Sequence, residues 1–355
     1  MEKRVKKAQE KIKEQNIDIY ITLHLPHIRY LVGFSGSNGL LLITHERIYF
    51  LTDFRYQEQC KAEIPKFVEV KISKDLYEDT AKLLTGEKRI GFDADNISYS
   101  TYERMKKLIG ERELVPVKDF ISDFRSIKDE SEIEKIKKAQ SIVDEIFNQI
   151  LEFCEPCKMT ERELAAEIEY RMKRHGADSS SFPTIVAHGP HSALPHAKPR
   201  DEMIGVNTML ILDFGAYFDG YASDMTRTLW IGQIPVRKFE EIYKIVLEAL
   251  EKAENEAKPG MSGKELDKIA REVIEKAGYG EFFGHGLGHG VGIDVHEKPR
   301  LSQKNEDILS SGMVFTIEPG IYIPDFGGVR IEDMVVMGER GVEILTRSSK
   351  GMICL

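Results

Sequence analysis

The feature that most constrains the fold is a short motif that occurs twice. Thr160-Glu161-Arg162-Glu163 and Ser262-Gly263-Lys264-Glu265 both have capping-box form and stand 102 residues apart. In such a box the hydroxyl accepts from the backbone N–H three residues on, while the Glu side chain reaches back to the cap, so each motif marks a helix start. Both predicted helices stop at a glycine, Gly176 and Gly278. Each box follows a long helical run, about 131–153 and 237–257, with Pro156 or Pro259 just beyond its end. Glycine-rich, strand-rich sequence comes after both. One capping box says little, but two in matching surroundings imply an α/β half present twice. A site shared by two such halves lies where they meet.

The residues before this twinned region read as a separate unit. Val5, Ala8 and Ile12 fall at helical spacing, and Ile17–Thr22, Gly39–Thr44, Arg47–Leu51 and Arg89–Phe92 read as strands. A long amphipathic helix begins near Ser131, carrying Ile133, Ile136, Ile142, Val143 and Ile146, and the polar stretch Arg125–Glu132 before it marks a boundary. We therefore expect an α/β (α+β) chain with a small α/β domain over residues 1–125 and a second domain over 126–355. The segment His24–Tyr30, followed by Phe34–Gly39, reads as an exposed loop.

Bulk properties exclude several function classes. A net charge of −9 leaves no basic excess for a phosphate backbone, so no nucleic-acid partner is expected. No run approaches the ~20 apolar residues of a membrane span. The N-terminus, Met1-Glu2-Lys3-Arg4-Val5-Lys6-Lys7, lacks an apolar signal core, which points to the cytoplasm. Four cysteines in 355 residues make no disulfide framework. Cys154-Glu155-Pro156-Cys157 has redox or zinc spacing but follows a long helical run and has no second pair, so it reads as an inert helix end. Abundant Lys and Glu beside few Gln residues match a thermophile's composition.

Chemistry concentrates in two hairpins and a histidine run. Met209–Ala216 and Tyr221–Trp230 read as strands around the turn Tyr217-Phe218-Asp219-Gly220. With Phe218-Asp219 as the loop, Asp213 and Asp224 face each other across the ladder. Like charges so placed repel, and their flanks Leu210, Ile211, Leu212 and Phe214 are apolar, so a bound cation resolves the conflict. A second pair of strands, Gly312–Ile323 and Gly328–Met337, turns at Pro324-Asp325-Phe326-Gly327 and opposes Glu318 to Glu332. Two acidic pairs, one per half, suit two metals about 3.5–4 Å apart. Seven of the ten histidines lie between His175 and His296, three of them in the glycine-spaced run His285–His296. A lone histidine is ordinarily structural. Three in twelve positions, where glycines let backbone approach closely, favour a site. His196, in the loop His188–His196, is a fourth candidate.

Asp213, Asp224, His289, Glu318 and Glu332, in this order and spacing, resemble the five-ligand set of the pita-bread metallopeptidases, which include methionine aminopeptidase, aminopeptidase P and prolidase. The segments Asp213–Arg227, His285–Glu297 and Thr316–Asp333 are similar to the proline-specific branch. The resemblance implies a creatinase-like N-terminal domain and a pseudo-twofold pita-bread catalytic domain. It implies that Asp213 holds one metal and His289 the other, that Asp224 and Glu332 bridge them, and that Glu318 is both ligand and base. His296 would stabilise the tetrahedral intermediate or contact substrate, and His196 would stand near the substrate carbonyl or proline. His285, Tyr322 and Arg330 would support them, with Arg300 and Arg330 as candidates for a proline carboxylate. Two divalent ions are expected, Mn2+ or Co2+ ahead of Zn2+, because a carboxylate-rich set with one imidazole is hard. The substrate would be a peptide with proline second, cut by an Xaa-Pro aminopeptidase, with an Xaa-Pro dipeptidase as the alternative. In this family the N-terminal domain commonly pairs two chains and narrows the cleft, so a homodimer with restricted substrate length is expected. Three rivals are a non-catalytic binder on the same fold, a metal-free creatinase-like hydrolase and a mononuclear oxygenase. Metal content per chain separates them from the peptidase.

Overall fold

The computed structural model of the chain describes all 355 residues, which divide into two compact units, Met1–Arg125 and Ser126–Leu355. In the first, a six-stranded mixed sheet runs in the order Glu69–Ile72, Ile48–Thr52, Leu40–Thr44, Ile19–Thr22, Arg89–Asp93, Glu113–Val117. Ile19, Ile21, Leu40, Leu42, Leu51, Ile90 and Phe92 bury one face of it beneath Met105 and Ile109 of helix Tyr99–Ile109.

One expectation fails in this unit. His24–Tyr30 is not a loop: helix Leu25–Val32 begins there, burying His27, Ile28, Tyr30, Leu31 and Val32. Pro26 sits in its first turn, where its missing N–H costs nothing, and Gly33 ends it at φ 83°. The buried His27 lies 2.9 Å from Asp93, so the polar-looking histidine is an interior residue paired across the unit.

The second unit is built twice over. Helices Glu130–Phe153 and Glu161–Arg174 pack Ile146, Ile150, Leu164 and Ile168 against strands Ile185–His188, Thr208–Phe214 and Met225–Ile231, making one core. Helices Arg237–Glu256 and Gly263–Lys276 pack Val246, Leu250, Leu266 and Ala270 against Val314–Ile317 and Asp333–Met337, making the other. Both capping boxes are closed in both directions, at Thr160 and Glu163 and at Ser262 and Glu265. Both cap residues also make isolated bridges to the strand-rich stretch of their own half, Thr160 to Met203 and Ser262 to Ile308. The repeat read from sequence is thus a structural repeat.

The long predicted strands are interrupted at places that matter for the site. The first hairpin turns at Asp219-Gly220, both at positive φ (46° and 72°), as a two-residue loop of primed type requires. Asp213 therefore pairs with Thr226 rather than Asp224. The correction is by two residues, and because side chains alternate with period two, Asp224 stays on the face of Asp213 as a diagonal neighbour. The ladder also breaks between Phe214 and Ala216, where a Cβ on Gly215 would meet Ser223 O at 2.0 Å. In the second hairpin the register is as read: Ile317 pairs with Asp333 and Gly320 with Arg330, which sets Glu318 opposite Glu332. Both glutamates lie in gaps between strands, after Ile317 and before Asp333.

Helix Glu130–Phe153 is C-capped by Cys154, and burial pushes that thiol up to about 11, away from the thiolate that redox or metal chemistry needs. No helix is long and apolar enough to cross a membrane.

Candidate metal centre

The carboxylates and histidine singled out by spacing converge. Asp224, His289 and Glu332 offer ligand atoms that all lie within 4.8 Å of one another. His289 Nε2 is 3.6 Å from Asp224 Oδ2 and 3.5 Å from Glu318 Oε1. Asp213 joins through Arg330, whose Nη2 donates to Asp213 Oδ2 at 2.5 Å. The other oxygen, Asp213 Oδ1, is buried with no hydrogen-bond partner. A buried carboxylate oxygen left bare costs several kcal/mol unless something positive occupies its open side.

Two threonines hold these groups, and sequence reading passed over both. Thr226 Oγ1 donates to Glu332 Oε2 at 2.6 Å and accepts from Arg330 Nε at 2.9 Å. Thr316 Oγ1 donates to Glu318 Oε1 at 3.3 Å and accepts from the N–H of His289 at 3.1 Å. A signal existed, since each stands two residues from an acidic neighbour, Asp224 or Glu318, and so shares its face in extended chain. Arg227, 1% exposed, was also missed: it donates to the carbonyls of Thr226, Glu332, Ser348 and Ser349 and to Asp333 Oδ1, pinning the backbone on both sides of the site.

Electrostatics agree with a cation-binding role. Four carboxylates, Asp213, Asp224, Glu318 and Glu332, face one guanidinium, that of Arg330, which leaves three negative charges uncompensated if all ionise. Burial first, and then mutual repulsion, raise Asp224 and Glu332 far above the usual carboxylate range. Burial pushes Glu318 up to about 7 and raises Asp213 despite its Arg330 partner. Burial likewise lowers His289 to about 3 and His285 to about 4, so both are neutral imidazoles, the state a metal ligand requires. Hard oxygen donors, one neutral imidazole, an orphaned oxygen and unmatched negative charge fit a pair of divalent cations.

The supporting residues assemble as well. His285 Nε2 is 3.1 Å from Tyr322 Oη, which accepts from Arg330 Nη1 at 2.7 Å; the same nitrogen donates to the Pro195 carbonyl at 3.2 Å. Arg330 is 4% exposed, and each of its three nitrogens donates within the chain, to Thr226, Pro195, Tyr322 and Asp213. Arg300 is different: it is exposed, lines the cavity, and makes no side-chain bond within the chain. The cavity, about 670 Å³, holds the acidic cluster at its base and is walled by His196, Lys198, His296 and Arg300, with Phe182, Pro183 and Ile185 as apolar lining. That volume is within the ~300–1,000 Å³ of small-ligand sites. The rings of His289 and His296 are 4.2 Å apart, which places His296 beside the acidic cluster.

Residues 134–339 match the family described as metallopeptidase family M24. The chain belongs to that family. Residues 4–127 match the creatinase/prolidase N-terminal domain. An Xaa-Pro dipeptidase of Pyrococcus horikoshii is 42% identical over 359 residues, covering 99% of each chain. Among solved structures, an Xaa-Pro dipeptidase from Bacillus anthracis superposes with a TM-score of 0.96 at 40% identity, covering 99% of both chains. An X-Pro aminopeptidase from Thermotoga maritima superposes with a TM-score of 0.89 at 39% identity, covering 96% of this chain and 98% of that one. The mixed α/β fold, with a creatinase-type domain preceding an M24 domain, is that of the family.

Proposed function

We propose that this M24 metallopeptidase is an Xaa-Pro dipeptidase that uses two divalent metal ions. The aminopeptidase preference drawn from sequence gives way to its alternative, since full-length relatives at about 40% identity are named Xaa-Pro dipeptidases. The observation that carries this reading is the exposed, unpaired Arg300 at the cavity wall, joined there by Lys198, because a dipeptide places a free carboxylate on its proline. Arg330, the other guanidinium considered, is spent on Asp213 and Tyr322.

Asp213, Asp224, His289, Glu318 and Glu332 would hold the ions. When bound, the ions lower the pKa of a water molecule and polarise the scissile carbonyl. Glu318, whose Oε1 lies 3.5 Å from His289 Nε2, would take the proton of the attacking water. His296 and His196 donate to the carbonyl oxygen as negative charge develops on it. Arg330 holds Asp213 and Tyr322, and Tyr322 in turn steadies His285. The hard donor set favours Mn2+ or Co2+ over Zn2+. We further propose that the chain acts as a homodimer in which residues 1–125 restrict substrate length.

The test is a comparison of hydrolysis rates for Xaa-Pro and Xaa-Pro-Yaa by the metal-loaded enzyme. A dipeptidase cleaves the first at least about 10-fold faster, and Arg300→Ala raises its KM while leaving that for Xaa-Pro amide unchanged. Faster cleavage of the tripeptide would restore the aminopeptidase reading.

A further inference from the structure

The loop 188–200 carries His196 and Lys198 into the cavity, yet His196 makes no hydrogen bond of its own and is exposed. Its placement depends on how the loop is tied. One side is held by the second half of the domain: Gly328 N donates to Ser192 Oγ at 2.8 Å, and Arg330 Nη1 to the Pro195 carbonyl at 3.2 Å. The other side is held by backbone pairing of His188 with Leu210, by the N–H of Arg162 donating to the Arg200 carbonyl at 3.1 Å, and by one carboxylate that reaches both ends. Glu161, 0% exposed, is the first residue of helix Glu161–Arg174. Its Oε1 accepts from the N–H of His188 at 3.0 Å and from His188 Nδ1 at 2.8 Å. His191 Nδ1 lies 3.0 Å from Oε1 and 2.9 Å from Oε2. Oε2 also accepts from the N–H of Arg200 at 2.9 Å and from its Nε at 3.4 Å.

We propose that Glu161 is a positioning residue: by tying the beginning and the end of the 188–200 loop to one buried point, it sets where His196 and Lys198 stand in the cavity wall. Three features support this. None of the hydrogen-bond partners of the Glu161 carboxylate, His188, His191 and Arg200, lines the cavity, so these bonds act on it through the loop. The carboxylate takes donors from residues 12 apart in sequence, which no local turn would unite. The second half uses the same device, since buried Asp267 on helix Gly263–Lys276 accepts from the N–H of Leu287 while its partner Arg271 donates to the carbonyls of Phe283 and His285. Each half thus fixes its histidine-bearing segment from a buried carboxylate on the capping-box helix.

The kinetic arm of the test rests on the peptidase reading above; the structural arm does not. In metal-loaded, full-length enzyme, Glu161→Gln turns one acceptor oxygen into an NH2 facing the donors. It is expected to lower kcat/KM for Xaa-Pro by about 10-fold, at unchanged metal content. Added to the pair His196→Ala and Lys198→Ala it should lower kcat/KM by less than about 2-fold further, because both groups it positions are already gone. Amide exchange over residues 189–198 should quicken about 10-fold in Glu161→Gln while the strand 208–214 is unchanged. Multiplicative losses in the combined variant, or unchanged exchange in the loop, would overturn the proposal. Should Glu161→Gln fail to fold, His191 supplies the decision. His191→Asn keeps a donor where Nδ1 stood and should match the parent within about 2-fold, whereas His191→Ala should show the faster loop exchange and the loss of kcat/KM. Equal behaviour of those two variants would also overturn it. An enzyme that cleaves no Xaa-Pro peptide would undo the function proposal alone, leaving the exchange comparison to judge this one.

Discussion

At the residue scale, the site is a set of acidic side chains whose ionised form burial disfavours and a bound cation would favour. Glu318 stands in this cluster with its Oε1 3.5 Å from His289 Nε2, placed as ligand and base in the proposed mechanism. Glu318→Gln should therefore cut turnover by about 10²–10⁴-fold, the usual range for a general base, with little change in unfolding temperature. A loss below about 10-fold would mean that the base lies elsewhere. Thr226 offers a sharper test of the support around the ligands. Its hydroxyl is buried between Glu332 and Arg330, and Thr226→Val keeps the shape while removing both bonds. Metal affinity measured by calorimetry should fall about 10–100-fold, the range found when groups orienting metal ligands are lost. Asp213→Asn should likewise lose metal under the proposed function, since the buried Oδ1 has no hydrogen-bond partner in the chain and would be the atom that faces a cation.

At the element scale, interruptions of regular structure place the chemistry. Gly215 lets the first hairpin break and pass within reach of Ser181 and Ser223. Gly215→Ala would drive a methyl into the Ser223 carbonyl at 2.0 Å, an overpacking expected to cost about 1–3 kcal/mol or more. Calorimetry should register this as a fall in Tm of about 3 °C or more. The 188–200 loop gives a pH prediction. Burial works to raise the Glu161 carboxyl, but bonds from His188, His191 and Arg200 outweigh it and bring it down from the usual 4.5 to about 2. A depressed carboxyl stabilises the fold above its unfolded pKa and loses that contribution as pH falls through the folded one. Stability should therefore decline between about pH 4.5 and 2. In Glu161→Gln that part of the acid limb should be flatter, which acid titration followed by circular dichroism would reveal.

At the scale of the whole molecule, metal and fold are linked. The donors come from both halves of the second unit, so cations bound among them oppose the separation of those halves. Removing metal with a chelator should lower Tm, and restoring Mn2+ or Co2+ should raise it in a concentration-dependent way. Mass spectrometry of the loaded protein should find close to two ions per chain, and light scattering about twice the 40.5 kDa chain mass if the proposed dimer forms. By itself the sequence determined the duplicated half, the helix starts, the second hairpin's register and the five candidate ligands. The first three follow from local rules, namely capping chemistry, side-chain alternation and turn residues, and the candidate ligands from a resemblance to a known ligand set in order and spacing. Only the tertiary structure decided the rest. It moved the first turn to Asp219-Gly220, since which residues adopt positive φ depends on how the flanking strands twist together. It made a helix of Leu25–Val32, because the histidine that looks polar in the sequence is paired to Asp93 from a distant strand. It paired Arg330 with Asp213 inside the cluster while leaving the Arg300 side chain exposed at the same cavity, although the two are alike as letters. It also revealed Thr226, Thr316, Arg227 and Glu161, whose partners lie up to 122 residues away. Such long-range hydrogen bonds leave no periodicity along the chain, so a buried polar residue declares its role only once its partners are in place.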